Sequence, residues 1–445
     1  MLPNVPIPTA AEPPPIPNDR LAVLYAVMLV AAAGNTAMQS VLPTLGAKLG
    51  IADVLVSLAF SWSAVLWVFT APYWARQSDK RGRRALMALG VAGFILSMGM
   101  CGISLYAGLA GWLSGAVCFA LFAVFRSLYG GFGSAAPPAV QAYIASRTQG
   151  DERTKALSFI SSSFGLGTII GPTLAPFFIL PIVGLSGPLF VFALIGCGLL
   201  LALRIMLPND DPRFAAIGQV ASYPNSAAMV MQTPENGTDT GLTGTVGTHN
   251  APVAVLSGWR DSRIFPWMVG GLVGGHANAM ILGVVGFYVM DTLALRATPE
   301  DAARPIALVL MAGALATLVA QWGLIPTLHL KPRTAMLWGA LIGGFGCAMI
   351  GMSYDLYGII FGMAVASLGF GLFRPGFTAG ASLAVGRSEQ GRVAGLVASV
   401  NGAAYIAAPA VGVLLYQWHV WASFGAMFAL CAALFLWGRH SIETE

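Results

Sequence analysis

The sequence predicts an all-α integral membrane protein of twelve transmembrane helices in two pseudo-symmetric six-helix halves. Three observations predict it. Of 445 residues, 57% are hydrophobic and 9% charged, against about 25% charged in a typical globular protein. Twelve apolar runs can be marked, most of them near the ~20 residues that a helix needs to cross hydrocarbon. One long polar stretch, 208–262, separates the sixth run from the seventh.

The runs lie at 21–45, 54–76, 84–106, 112–135, 157–180, 187–206, 264–290, 304–327, 334–353, 356–378, 393–416 and 418–437, and are numbered here as spans 1 to 12. Many are dotted with Gly and Ala, which let helices approach closely in lipid. The stretch 208–262 opens with Pro208-Asn209-Asp210-Asp211-Pro212 and continues rich in Gly, Thr, Asn and Pro. Such a composition cannot bury a core and reads as a flexible linker. The expected layout is a tail at 1–20, a half at 21–207, the linker at 208–262, a half at 263–438 and a tail at 439–445. The proline-rich start has no basic region followed by a short apolar one, so it does not read as a cleaved signal peptide.

A formal net charge of +5 would suggest nucleic-acid binding in a soluble protein. Here the positive charges flank the spans. If both termini lie in the cytoplasm, eighteen of the 23 Lys and Arg fall on that side and three (Lys48, Arg296, Arg304) on the other. Lys and Arg near span ends are retained in the cytoplasm, so both termini are expected inside and no nucleic-acid partner is expected. The other two, Arg126 and Arg374, fall inside spans 4 and 10.

Those two arginines are the first candidate binding residues, because an intramembrane charge is costly and must face protein or water. The alternatives are an arginine tied to backbone carbonyls, or one snorkelling to a nearby interface. Asn35 and Gln39 of span 1 are four apart and share a face. Span 7 offers His276 and Asn278. These amides line a cavity or act as interhelical glue. His276 is the candidate proton carrier, set against a neutral hydrogen-bonding role. Every Asp and Glu falls in a loop, a tail or at a span edge, with Asp53, Asp291 and Asp355 at the edges of spans 2, 7 and 10.

Five cysteines, all in apolar runs, show no metal-ligand spacing. Five histidines are scattered singly, and no HExxH or GxSxG element occurs. Neither an enzyme nor a resident cofactor or metal is expected.

The halves carry matching marks. Lys155 to Pro172 and Arg392 to Pro409 share length and texture, and each half places an arginine in its fourth span. Transporter folds show such pairing, with the site at the interface near the midplane.

Three stretches resemble the major facilitator superfamily, closest to its branch of drug and metabolite exporters that includes the tetracycline efflux pumps. Ala75 to Arg84, with Asp79-Lys80-Arg81-Gly82-Arg83-Arg84, is similar to the Gly-x-x-x-Asp-basic-x-Gly-basic-basic loop between spans 2 and 3, with Ala75 at the leading glycine. The resemblance implies that Asp79, Arg83 and Arg84 form a cytoplasmic latch stabilising the outward-facing state. Arg126 to Gly133 resembles the arginine-and-glycine element of span 4. Gly167-Thr168-Ile169-Ile170-Gly171-Pro172 looks like the Gly-x-x-x-Gly-Pro element of exporters, setting helix shape rather than contact, although Ala175-Pro176 replaces the glycine pair that usually follows. The resemblance also implies that spans 1, 4, 7 and 10 line the cavity.

The expected function is proton-coupled export of a small organic anion by alternating access, in a bacterial inner membrane and as a monomer. The anion follows from two intramembrane arginines without an intramembrane acid. A carboxylate siderophore is favoured, because the stretch from Ala381 through Glu389-Gln390-Gly391 to Leu396 also resembles siderophore exporters. A multidrug or antibiotic efflux pump and an organic-anion uptake symporter are the alternatives.

Overall fold

The computed structural model describes residues 16–145, 147, 160, 163–164, 166–208, 261–385 and 390–442. Eleven helices among the described residues are long and apolar enough to cross a membrane. Span 1 is Asn18–Lys48, span 2 Asp53–Arg81 and span 3 Arg83–Leu109. Span 4 is Gly115–Gly131, carried on by a 3-10 turn, Gly133–Ala135, into Ala136–Ala145. Span 5 is represented by the shorter apolar helix Leu166–Phe178, because its first residues lie outside those described. Span 6 is Gly187–Met206. Of the expected linker, 208–262, residues 209–260 lie outside the described residues.

In the second half, span 7 is Phe265–Thr292, span 9 Pro332–Gly351, span 10 Leu356–Leu383, span 11 Gln390–Trp418 and span 12 Val420–Ser441. Span 8 begins as Pro299–Leu318, widens into a π turn at Val319–Leu324 and ends at Ile325–Thr327. A π turn is rare and tends to mark functional positions.

The spans turn polar groups inward only where packing or a cavity receives them, because lipid offers no hydrogen-bonding partner. Thr70, for instance, bonds the carbonyl of Leu66 in its own helix at 2.8 Å and that of Gly130 in span 4 at 2.9 Å. Large apolar side chains such as Phe69, Leu194 and Ile205 instead point outward, as a lipid-facing surface requires.

Small residues decide which spans touch. A methyl group at Gly167 would run into the backbone oxygen of Leu29, and one at Gly171 into that of Ala33. Span 5 therefore lies backbone to backbone on span 1. Pro43 of span 1 similarly fits beside Gly286 of span 7, where an added Cβ would lie 2.7 Å from the ring. This second seam joins the two halves toward the end of the bundle opposite the termini.

Candidate functional site in the cavity between the halves

A cavity of about 140 Å³ lies between the halves. Span 1 contributes Thr36 and Gln39 and span 5 contributes Thr168 and Pro172. From the second half come Asn278 and Leu282 of span 7, Thr317 and Gln321 of span 8, Ser367 and Arg374 of span 10, and Tyr405 of span 11, among others. The charged side chain among these is Arg374, and the lining includes no Asp or Glu among the described residues.

Arg374 is held by Tyr405. Its Nη2 donates to the phenol oxygen at 3.1 Å, and its Cζ stands 5.8 Å from the ring centroid. Asn278 Nδ2 donates to the same oxygen at 3.2 Å. Three spans thus meet at one hydroxyl. A guanidinium so oriented keeps a planar fork of donors available for an acceptor.

Of the residues singled out from the sequence, the cavity brings together Gln39, Asn278 and Arg374, with Pro172 on its first-half wall. Asn35, Arg126 and His276 are not among its lining. Arg126 is 2% exposed and sits inside the first half. Its Nη2 donates to Asn35 Oδ1, and its Cζ lies 4.5 Å from the Tyr129 ring centroid. Nε and Nη1 have no hydrogen-bond partner among the described residues. The cation therefore rests on one amide oxygen and the face of one ring, a contact favourable to it by the ring quadrupole.

His276 Nδ1 contacts the carbonyl oxygen of Leu272 at 2.7 Å. A carbonyl only accepts, so Nδ1 carries the hydrogen. Two residues on a helix stand about 200° apart, which sends His276 and Asn278 to different sides of span 7.

At the basic turn, Arg84 Nη2 donates to the carbonyl oxygen of Arg204 at 2.5 Å, tying span 3 to the last turn of span 6. Arg83 is buried at 3% exposure. The side chain of Asp79 lies outside the described residues.

The opposite end of the bundle carries a charge cluster that the sequence did not assemble. Arg296, in the loop after span 7, binds Asp53 of span 2 at 3.0 and 2.8 Å and Asp291 of span 7 at 2.5 and 3.0 Å. Tyr416 of span 11 donates to Asp291 Oδ2 at 2.5 Å, and Lys48 pairs with Glu300 at 3.3 Å. The hydrogen bonds that Arg296 donates to Asp291 and then to Asp53 hold its pKa well above the usual arginine value. Asp53 and Lys48 belong to the first half, Asp291, Arg296 and Glu300 to the second. The two halves are therefore joined by ion pairs at this end. Sequence reading had marked Asp53 and Asp291 as edge acids, but nothing local announces a partner 243 residues away.

Tyr405 and Gln321 were also missed. The available signal was the one Gln of run 304–327 and one of the two Tyr of run 393–416, the other being Tyr416.

Comparison with known proteins agrees with this architecture. Among curated proteins, a multi-drug resistance efflux pump PmrA homolog from Lactococcus lactis subsp. lactis (strain IL1403) is 31% identical over 184 residues, 40% of each chain. Multidrug resistance protein 2 of Bacillus subtilis (strain 168) is 31% identical over 109 residues, 24% of each chain. The matches thus span less than half the length of these relatives. Among solved structures, the human organic anion transporter MFSD10 (TETRAN) superposes with a TM-score of 0.61 at 18% identity, covering 96% of this chain and 100% of that one. A bacterial homolog of the human lysosomal transporter Spinster, in an inward-facing and unoccupied conformation, gives 0.65 at 13% identity, covering 95% and 92%. The nucleoside transporter NupG gives 0.65 at 11% identity, covering 95% and 100%. At these identities the structural likenesses show the fold. The family profile of the Major Facilitator Superfamily matches residues 24–328. With twelve apolar segments, a cavity between two halves and a profile match over most of its length, the chain belongs to the Major Facilitator Superfamily of membrane transporters, which are not enzymes.

Proposed function

We propose that this transporter exports a small organic anion by proton-coupled alternating access, working as a monomer in a bacterial inner membrane with both termini in the cytoplasm. The observation that carries the anion is Arg374, a cation in the lining of the cavity with no acid beside it in that lining. Alternating access is supported by the ionic seam: the ion pairs join the halves at one end, and rocking of the halves would break them. The excess of Lys and Arg on the terminal side supports the orientation.

Export is supported by the Gly167 to Pro172 element and by the relatives named as efflux pumps. His276, half-buried in span 7, is the proposed proton carrier. Asp79 with Arg83 and Arg84 is the proposed latch at the terminal end. Arg126 with Asn35 is the proposed second polar locus, reached by cargo or proton only in another state of the cycle.

Within this class, a carboxylate siderophore is the first cargo to test. A deletion strain and its parent are grown under iron limitation, and secreted anions are profiled by mass spectrometry. Loss of one carboxylated chelator from the medium, with its accumulation in cells, is the expected result. An unchanged profile rejects the siderophore. The second reading, multidrug efflux of neutral or anionic compounds, rests on the curated relatives and is read by drug susceptibility of the same strain.

A further inference from the structure

We infer that Arg374, Tyr405 and Gln321 form a subsite for one carboxylate, in which Gln321 is a specificity-determining residue presented by the π turn of span 8. The inference rests on the reading of the cavity as the cargo site.

The argument is a count of hydrogens. An arginine has five N–H donors. Arg374 gives one to Tyr405, and the rest have no hydrogen-bond partner among the described residues. The Tyr405 oxygen receives hydrogens from both Arg374 and Asn278, at 3.1 and 3.2 Å. A phenol so engaged as acceptor still owns its O–H hydrogen, and that hydrogen has no acceptor among the described residues. Gln321 lines the same cavity, is 6% exposed, and forms no hydrogen bond with the described residues. Its amide adds further donors. This wall therefore offers mainly hydrogens and asks for a ligand made of acceptors.

An ionised carboxylate is acceptor-only, and its two coplanar oxygens match the guanidinium fork. The lining supplies one positive charge, so it balances one carboxylate. A second negative charge on the same cargo would meet no second cation in this lining. Leu282, Leu310, Met363 and Phe370 complete the cavity and suit an apolar body attached to the carboxylate.

The backbone explains why Gln321 faces this place. Thr317 Oγ1 bonds the carbonyl oxygens of Gly313 and of Ser367 in span 10, at 3.0 and 3.2 Å. Ala320 is fully buried against Gly371, where an added Cβ would stand 3.0 Å from its methyl group. The π turn begins at Val319, between these two anchors, and carries Gln321 directly after Ala320. Gln321 is thereby held beside span 10 instead of being free to rotate toward lipid.

The test uses purified full-length protein in detergent, titrated with 2-naphthoate and, as the neutral match, 2-naphthamide. The readout is a saturable rise in melting temperature. Naphthoate is expected to bind at least about tenfold more tightly than naphthamide, since bonds to a charged group are the stronger ones. Tyr405→Phe should weaken naphthoate about tenfold and Gln321→Leu about threefold, each removing one hydrogen bond. Arg374→Lys should not restore what Arg374→Gln loses, because an ammonium lacks the fork.

Equal response to the two ligands would overturn the inference, as would wild-type affinity in Tyr405→Phe and Gln321→Leu. If either variant melts poorly without ligand, Gln321→Glu decides. It keeps the volume and adds a negative charge to the lining that holds Arg374, so retained naphthoate binding would reject the subsite. Naphthoate binding without export from proteoliposomes leaves the subsite standing and defeats the exporter reading. Anion export combined with naphthoate binding insensitive to these variants defeats the subsite alone.

Discussion

Arg296 grips Asp53 with both prongs of its guanidinium, Nη1 to Oδ1 at 3.0 Å and Nη2 to Oδ2 at 2.8 Å, across the boundary between the halves. The same side chain holds Asp291 in its own half through Nε and Nη2. Asp53 is 5% exposed, while Arg296 is half open to solvent. The pair is thus anchored on one side and breakable on the other, which suits the proposed rocking of the halves.

Removing the grip should open that end. Asp53→Asn leaves the shape but removes the charge, and a partly exposed pair of this kind is worth on the order of 1 kcal/mol. The population closed at this end should then fall about fivefold relative to open. Crosslinking of Lys48→Cys to Glu300→Cys with a bifunctional thiol reagent long enough to replace the two native side chains, whose tips meet at 3.3 Å, measures it. Crosslinking should drop in the Asp53→Asn background and be unchanged by Asp355→Asn, because the Asp355 side chain, among the described residues, accepts only from Gly358 N at its own helix start. Equal yields in all three would mean that the ion pair does not hold the end shut.

Alkali should not open it. The Arg296 pKa is raised, chiefly by its hydrogen bonds to Asp291 and Asp53. A raised folded-state value contributes stability that is complete below the unfolded value and is lost only as pH climbs through the folded one. That loss lies beyond the normal arginine range, so the arginine's contribution is constant across neutral and mildly alkaline pH. Crosslinking of the same cysteine pair, corrected for thiolate reactivity with an unrelated pair in one half, should be flat from pH 7 to about pH 10.

Arg126 should separate stability from transport. Two of its nitrogens are buried without partners among the described residues, so a flexible apolar replacement need not destabilise the half. Arg126→Met is expected to melt within a few degrees of wild type, since about 1 kcal/mol corresponds to only a few degrees in a protein of this size. Its transport should nonetheless be lost. Arg126→Lys should not rescue transport, because a lysine reproduces neither the flat contact on Tyr129 nor the aligned bond to Asn35. Normal export by Arg126→Met would reduce this arginine to packing.

The glycine seam should fail by volume. Gly171→Leu places side-chain atoms where the backbone oxygen of Ala33 already sits. Overpacking of this kind costs about 1–3 kcal/mol, occasionally more. Gly99, with open space around it, should accept alanine without change. Melting temperatures of detergent-purified variants compare the two positions directly.

The spans were legible because membrane crossing imposes a length and a composition that no soluble helix needs. The polar groups were legible only as individuals. Gln39, Asn278 and Arg374 meet at the cavity, as an intramembrane charge suggested for span 10, whereas Asn35, placed on one face with Gln39 by its spacing, is absent from the lining and meets Arg126 instead. Arg126 carries the same signal, yet it turns into its own half toward Asn35. Hydropathy cannot tell an inward face between halves from an inward face within one, because both exclude lipid. Tyr405 hid in an apolar run, since tyrosine counts as hydrophobic until its hydroxyl meets Arg374. The π turn in span 8 is a backbone event with no residue signature at Val319–Leu324. The grip of Arg296 on Asp53 depends on which spans become neighbours, which single-chain periodicity does not encode.

The contact of span 5 with span 1 has a mechanical meaning. Where Gly167 and Gly171 lie on the backbone oxygens of Leu29 and Ala33, the side chains nearest the seam are the short ones of Ala32 and Thr36, which leave little to change rotamer or slide. Two such surfaces behave as a welded plate: they carry load but absorb no displacement. Whatever motion exposes the cavity must then be taken up elsewhere, in the long side chains of Lys48, Glu300 and Arg296, which can stretch and let go.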